Sequence, residues 1–337
     1  MKKRIAAVCL ASLMGIFCVT GCGGGTDQNP SDAQENVQED GQDTEQAEET
    51  DDTKQEETDS VSQDEQDSAS QEEQKNAEDT AILVVSFGTS YNESRDLTIG
   101  AIEKRIADAF PEYEVRRAFT SQIIIDKLKE RDGLEIDNVE EALDRAVADG
   151  IKNLIVQPTH LMDGYEYTDL SDALENYKDK FEKTSMAAPL LSDDADIDSV
   201  IQAITKKTAS YDDGETAICF MGHGTEADSN QVYAEVQKHL TEQGYENYYI
   251  ATVEASPTLE DVMAVWKEKG NYKRVVLEPL MVVAGDHANN DMAGDEDDSW
   301  KSILTKEGYE VECILEGLGQ VEEIQDIYVE HTKKAME

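Results

Sequence analysis

The sequence predicts an α/β fold of two similar lobes, each built on a parallel sheet with helices on both faces. Two observations predict it. Short apolar runs alternate with segments of helical periodicity 10 to 20 residues long, a pattern typical of parallel sheets buried on both sides. The second half of the folded region also repeats the first half.

The strands are predicted from their unbroken apolar runs, and the helices from the amphipathic stretches between those runs. In chain order, the predicted strands are 81–85, 114–119, 152–157, 216–221, 248–253 and 274–278. The predicted helices are about 92–110, 139–149, 169–181, 197–209, 230–243, 259–269, 300–307 and 321–334.

The internal repeat predicts two Rossmann-like lobes with a cleft between them. Three pairs of segments align: 80–89 with 216–225, 116–121 with 251–256, and 152–158 with 273–279. The last alignment also places Gly164 on Gly285. Ligands of open parallel sheets bind beyond the carboxyl ends of the strands, so the function is expected at those ends.

The two copies differ in chemistry at these strand ends. On the alignment the second copy carries three metal-ligand residues in place of three others: His223 for Phe87, Glu254 for Phe119, and His287 for Glu166. Two imidazoles and one carboxylate leave coordination positions open on a first-row divalent ion, as a site that transfers its metal requires. The sequence therefore predicts a metal site on the second lobe.

Residues beside the predicted metal ligands, and one histidine of the first lobe, also fit a metal site in the cleft. Gly222 and Gly224 flank His223 and allow a close approach of backbone and ligand. Asp286 precedes His287 and is a candidate to orient its ring. His160 follows a strand of the first lobe, where it would face the cleft and accept protons.

The amino-terminal segment predicts export. Lys2, Lys3 and Arg4 precede an apolar run from Ile5 to Val19, which is the pattern of a signal peptide. The ending Val-Thr-Gly-Cys22 resembles a bacterial lipobox, in which Cys22 receives the lipid. About 15 apolar residues are too few for the roughly 20 that span a bilayer.

Four regions follow from these observations: a lipoprotein signal peptide at 1–22, a disordered acidic linker at 23–79, and lobes at 80–195 and 196–337. Residues 26–79 hold 21 Asp or Glu and only two Lys, and such a segment is too polar to form a core.

The net charge excludes one class of function. The 337 residues carry a net charge of -46, which excludes a nucleic-acid binder that works by phosphate neutralisation.

Five motifs carry a specific resemblance. They are Ser86-Phe-Gly-Thr-Ser90, Arg117-Ala-Phe-Thr-Ser121, Met221-Gly-His-Gly-Thr225, Val253-Glu-Ala-Ser-Pro257 and the long run Pro279–Gly294, followed by Ser299-Trp-Lys301. From about Ala81 to the carboxyl terminus the chain resembles the anaerobic cobalt chelatases that act on sirohydrochlorin.

The resemblance implies the class II chelatase fold and an ATP-independent lyase of anaerobic cobalamin biosynthesis. Such an enzyme inserts Co²⁺ into the tetrapyrrole sirohydrochlorin with release of two protons and uses no organic cofactor; Fe²⁺, Ni²⁺ or Zn²⁺ are alternative metals. The family's ligands match His223, Glu254 and His287, and its further cleft histidine matches His160. The expected substrate-binding residues are Ser86, Phe87, Gly88, Thr89, Gly222, Gly224 and Arg117.

The export signal keeps a second interpretation open, because cobalamin synthesis is cytoplasmic. The alternative is an extracytoplasmic protein of the same fold that binds haem, another tetrapyrrole or metal for uptake. A metal-dependent hydrolase is disfavoured, since no acidic general base accompanies the ligands. The membrane is expected as a partner only through the lipid anchor, and the sequence does not predict the oligomeric state.

Charge and the remaining histidines give two further expectations. Residues 80–337 carry 54 acidic and 24 basic side chains, whereas sirohydrochlorin carries eight carboxylates. A local basic patch is therefore expected, with Arg95, Arg116 and Arg117 as candidates. His239 and His331 are expected to face solvent.

Overall fold

The computed structural model describes residues 79–270 and 272–337. The predicted signal peptide with Cys22, and the predicted linker up to residue 78, lie outside the described residues. Within the described part, no helix is both long and apolar enough to cross a bilayer. Cys219 and Cys313 are both free thiols.

Two four-stranded parallel sheets form the scaffold, and their strand orders match. The first sheet runs β2-β1-β3-β4 and the second β6-β5-β7-β8. The first sheet contains β1 (Thr80–Ser86), β2 (Glu114–Phe119), β3 (Asn153–Pro158) and β4 (Lys183–Met186). The second contains β5 (Thr216–Gly222), β6 (Tyr248–Thr252), β7 (Arg274–Pro279) and β8 (Glu310–Cys313).

Ten α-helices cover the sheets in the described residues. Those of the first half are α1 (Asn92–Leu97), α2 (Ile99–Ala109), α3 (Gln122–Asp132), α4 (Val139–Ala148), α5 (Tyr165–Tyr177) and α6 (Asp194–Thr208). Those of the second half are α7 (Gln231–Glu242), α8 (Leu259–Lys269), α9 (Trp300–Lys306) and α10 (Glu322–Met336). A π-helical turn, Ala288–Met292, precedes α9.

Each central strand is apolar on both faces because each sheet is covered on both sides. In β1, Ile82 and Val84 pack into a core shared by the two lobes. Ala81, Leu83 and Val85 point the other way, against α4 and α5. The strand β5 repeats the pattern, with one face in the shared core and the other against α8 and α9.

The last helix of each half packs on the other lobe. Lys207 of α6 forms an ion pair with the buried Glu278 of β7. Thr332 of α10 donates a hydrogen bond to Gln157 of β3, 2.7 Å away. The predicted boundary at 195/196 falls inside α6, which lies between the two sheets in the chain, and α10 returns to the first sheet.

The structure differs from the sequence predictions at the short and polar elements. Helix α3 and the edge strands β4 and β8 were not predicted, since they are short or carry polar residues on exposed faces. The helix predicted over 92–110 is two helices, which meet where Thr98 (φ −113°, ψ −78°) leaves the helical path.

The expectation that His331 faces solvent is wrong. His331 is buried, and its Nε2 atom is hydrogen-bonded to Asp196 at 3.0 Å.

Candidate metal and ligand site

The carboxyl ends of both sheets open into one cleft of about 540 Å³. This is the size of a small-molecule or cofactor site. Of the predicted site residues, nine line it: Ser86, Phe87, Gly88, Thr89, His160, His223, Gly224, Glu254 and His287. Tertiary folding therefore brings together residues as much as 201 positions apart in the chain.

His223, Glu254 and His287 converge on one wall of the cleft. Each offers a ligand atom, and the three atoms lie within 4.8 Å of one another. The two imidazole rings meet edge to face with centroids 4.7 Å apart. An ion about 2.1 Å from each ligand joins atoms up to about 4.2 Å apart, so small side-chain rotations suffice to complete the site.

Hydrogen bonds to the Nδ1 atoms orient both imidazoles. His223 Nδ1 lies 2.6 Å from the carbonyl oxygen of Gly224, which can only accept a hydrogen bond. His287 Nδ1 lies 2.7 Å from Oδ2 of Asp291. Both contacts assign the proton to Nδ1 and leave the Nε2 lone pairs for a metal.

The orienting carboxylate is Asp291, not the predicted Asp286. Asp291 lies one turn after His287, in the π-helical turn, so its side chain returns to the ring. Asp286 instead accepts hydrogen bonds from Tyr91 at 3.4 Å and from Asn290 at 2.9 Å. The i, i+4 spacing of His287 and Asp291 was the signal in the sequence that could have identified this contact.

Two glycines are required beside His223, for different reasons. A Cβ on Gly222 would lie 2.3 Å from Tyr233 Cε1, so the strand end could not pack on that ring. Gly224 has φ +84°, and a Cβ there would lie 2.8 Å from the backbone nitrogen of Ala255. Gly224 lines the cleft, whereas Gly222 lies behind it.

The register of the strands shifts one segment of the repeat alignment, 116–121, by two residues. Ser86 pairs with Phe119 in the first sheet, and its counterpart Gly222 pairs with Thr252 in the second. Beyond the strands, the amides of Ser121 and Glu254 donate to the carbonyls of Phe87 and His223 respectively. Ser121, not Phe119, is therefore the counterpart of Glu254.

The loop that carries His287 is attached to the first lobe. The amide of Ala284 donates to Ser94 Oγ at 3.1 Å, and Tyr91 reaches Asp286 across the cleft. Two ligands thus come from strand ends of the second lobe, and the third from a loop that both lobes support. Tyr91, Ser94 and Tyr233 contribute to this arrangement and were not singled out from the sequence.

His160 lies in the wall supplied by the first lobe. Both of its ring nitrogens are buried without a hydrogen-bond partner. This burial lowers the pKa of His160 to about 4, although Glu166 acts in the opposite direction. The ring is therefore neutral at pH 7.

The structure places the candidate arginines away from the cleft. Arg117 points its guanidinium at Glu103, with two hydrogen bonds. Arg116 is paired with Glu114 and Asp149, and the buried Arg95 with Asn92 and Asp96. The expected basic patch at the strand ends is not formed.

Comparisons with known proteins agree with this geometry. Residues 80–337 match the family model described as cobalt chelatase (CbiK). The chain is 35% identical over 256 residues to the sirohydrochlorin cobaltochelatase of Salmonella typhimurium. The aligned residues cover 76% of this chain and 96% of that protein. It is 31% identical over 257 residues to the sirohydrochlorin cobaltochelatase CbiKC of Nitratidesulfovibrio vulgaris. Here the aligned residues cover 76% of this chain and 90% of that protein.

The solved structure of SirB from Bacillus subtilis with Fe³⁺ has the same fold. Its superposition on this chain has a TM-score of 0.53 and a sequence identity of 11%. The superposed residues cover 76% of this chain and 95% of the SirB chain. The likeness confirms the predicted two-lobed α/β fold. Because residues 80–337 span nearly the whole Salmonella protein, this region is expected to fold without the segment that precedes it.

Replacing Asp291 by Asn is expected to weaken Co²⁺ binding about 10- to 100-fold, the usual effect of removing a carboxylate that orients a ligating histidine. Isothermal titration calorimetry measures the affinity. The control is Asp298→Asn, which removes an exposed carboxylate on the same loop. Equal affinities in the two variants would contradict the orienting role.

Replacing His160 by Gln is expected to flatten the pH dependence of stability. Because the folded protein holds the pKa of His160 at about 4, the unfolded chain, with a pKa near 6.5, binds more protons between these values. The wild type must therefore lose stability as the pH falls from about 6.5 to about 4. Urea unfolding across this range should show a smaller loss in the variant; parallel curves would mean that His160 does not resist protonation.

Proposed function

Because this chain belongs to the CbiK cobalt chelatase family, we propose that it inserts Co²⁺ into sirohydrochlorin with release of two protons. The observation that carries the proposal is the convergence of His223, Glu254 and His287 on the wall of a cleft large enough for a macrocycle. The metal is a substrate here, held by the protein only until the tetrapyrrole takes it.

The number of candidate ligands supports a transfer site rather than a permanent one. Three protein ligands leave positions open, where the nitrogens of the macrocycle can replace protein atoms one by one. The two Nδ1 hydrogen bonds keep both Nε2 atoms aimed at the metal without holding its other side. Glu254 follows β6 in a turn closed by the Thr252 amide, which donates to the carbonyl of Pro257 at 2.7 Å.

Metallation also requires that two pyrrole N–H protons leave. His160 faces the same cleft from the first lobe, with both ring nitrogens free of protein partners. Its low pKa makes it a weak base, so it takes a proton when the metal has already acidified the pyrrole. In this scheme the metal comes from the second lobe and a proton acceptor stands on the first.

The test is turnover by residues 80–337 mixed anaerobically with sirohydrochlorin and Co²⁺, followed by the absorption change on metallation. His223→Ala and His287→Ala are expected to abolish metallation and to leave the fold intact. His160→Ala is expected to slow metallation and to spare Co²⁺ binding, and His239→Ala, outside the cleft, serves as the control. Wild-type rates in either ligand variant would rule out the site.

The same assay separates an enzyme from a carrier. A chelatase releases many metallated products per protein, whereas a carrier for haem or another tetrapyrrole binds one equivalent without turnover. Fe²⁺, Ni²⁺ and Zn²⁺ belong in the assay as competitors, since His and carboxylate ligands accept them too.

The location proposed for this enzyme is the outer face of the cytoplasmic membrane, with Cys22 lipidated. The basic start, the apolar run and the Val-Thr-Gly-Cys ending support it. Cys22→Ser is expected to abolish incorporation of a labelled fatty acid and to prevent membrane retention of the mature chain. Cys18→Ser, a matched change before the predicted cleavage point, should leave both unchanged; label retained in the Cys22 variant would contradict the anchor.

A further inference from the structure

The cleft is lined by acidic side chains, although the proposed substrate is a polyanion. Besides the ligand Glu254, three acidic side chains line it: Glu166, Glu226 and Asp286. Among the described residues that line the cleft there is no lysine or arginine. Sirohydrochlorin, with eight carboxylates, therefore meets a negative surface at the site where it must bind.

Six basic side chains near the two sheets are paired with acidic side chains outside the cleft. Arg117, Arg116 and Arg95 are each paired with acidic side chains, as described above. Further bases lie where strands begin, at the edge opposite the cleft: Lys152 with Asp79, Lys273 with Glu215, and Arg274 with Glu312. None of these six basic side chains lines the cleft.

The cleft does offer apolar surface for a ring. Phe87 is 50% exposed and Tyr165 59% exposed, although both are large aromatic side chains, and both line the cleft. Met162, Ile124 and Val283 extend this surface. Aromatic and aliphatic side chains stabilise a flat macrocycle by contact area and stacking, without reference to its peripheral charge.

We propose that this cleft binds sirohydrochlorin through its ring alone, and that cations from solution, not protein side chains, neutralise its peripheral carboxylates. The inference rests on the proposed function and specifies how that substrate is recognised. It follows that binding strengthens as ionic strength rises, because salt screens the repulsion between the two negative partners. A cleft that held the carboxylates in ion pairs would show the opposite dependence.

The charge of the wall is also expected to favour the metal over the macrocycle as the first partner. A negative cleft raises the local concentration of a divalent cation. The bound cation then reduces the repulsion that the tetrapyrrole meets.

The experiment measures the Kd of metal-free sirohydrochlorin for residues 80–337 by anaerobic equilibrium dialysis. Raising the ionic strength from about 0.01 M to about 0.1 M shortens the screening length from about 30 Å to about 10 Å. The Kd is expected to fall about threefold, since this change in screening weakens the repulsion of each pair of like charges some 8 Å apart by roughly a factor of 1.3, and about four such pairs multiply to that value. A Kd that is constant or rises with salt overturns the inference.

Two charge reversals distinguish local electrostatics from a general salting-out of the macrocycle. Glu226→Lys is expected to tighten binding about fivefold at the low ionic strength and to show a weaker salt dependence. Glu268→Lys makes the same change in net charge at an exposed position of α8, away from the cleft, and should behave like the wild type. Equal affinities in the two variants would contradict the inference.

Cobalt insertion by the same preparations separates this inference from the function. Turnover with the opposite salt dependence would overturn only the mode of recognition. Failure to bind sirohydrochlorin at any ionic strength would overturn both.

Discussion

The cleft depends on the helical layer that both sheets share. One face of each sheet packs into the same core, with α2, α6, α7 and α10 between them. Because α6 packs on the second sheet and α10 returns to the first, each lobe is held by a helix from the other half of the chain. The buried contacts of Thr332 with Gln157, and of Lys207 with Glu278, secure this exchange. The carboxyl ends of the two sheets are thereby fixed around one cavity.

The two lobes share one fold but carry different side chains at the ends of their strands. Where the second lobe presents His223, Glu254 and His287, the first presents Phe87, Ser121 and Glu166 at the equivalent positions. One wall can therefore hold a divalent ion while the other supplies apolar contact. The candidate metal ligands thus converge on one wall of the cleft.

The negative charge of the chain has different consequences at different places. Around the paired arginines it neutralises bases that could have met an anionic substrate. Beside His287 it provides Asp291, which fixes the ring. Around the cleft it places three acidic side chains besides the ligand Glu254. The function of an acidic residue here is thus set by its nearest partner and not by the net charge.

The strands with continuous apolar runs, the repeat, and the residue types of the candidate metal site can be predicted from the sequence, because these depend on local pattern and spacing. It missed the edge strands β4 and β8 and helix α3, whose stability comes from neighbours rather than from their own periodicity. Three features arise only from packing: Asp291 orients His287, Arg117 is bound to Glu103, and the ring nitrogens of His160 and the side chain of His331 are buried. These features could not be predicted because the partners and the solvation of a side chain depend on residues distant in the chain, which packing alone brings into contact.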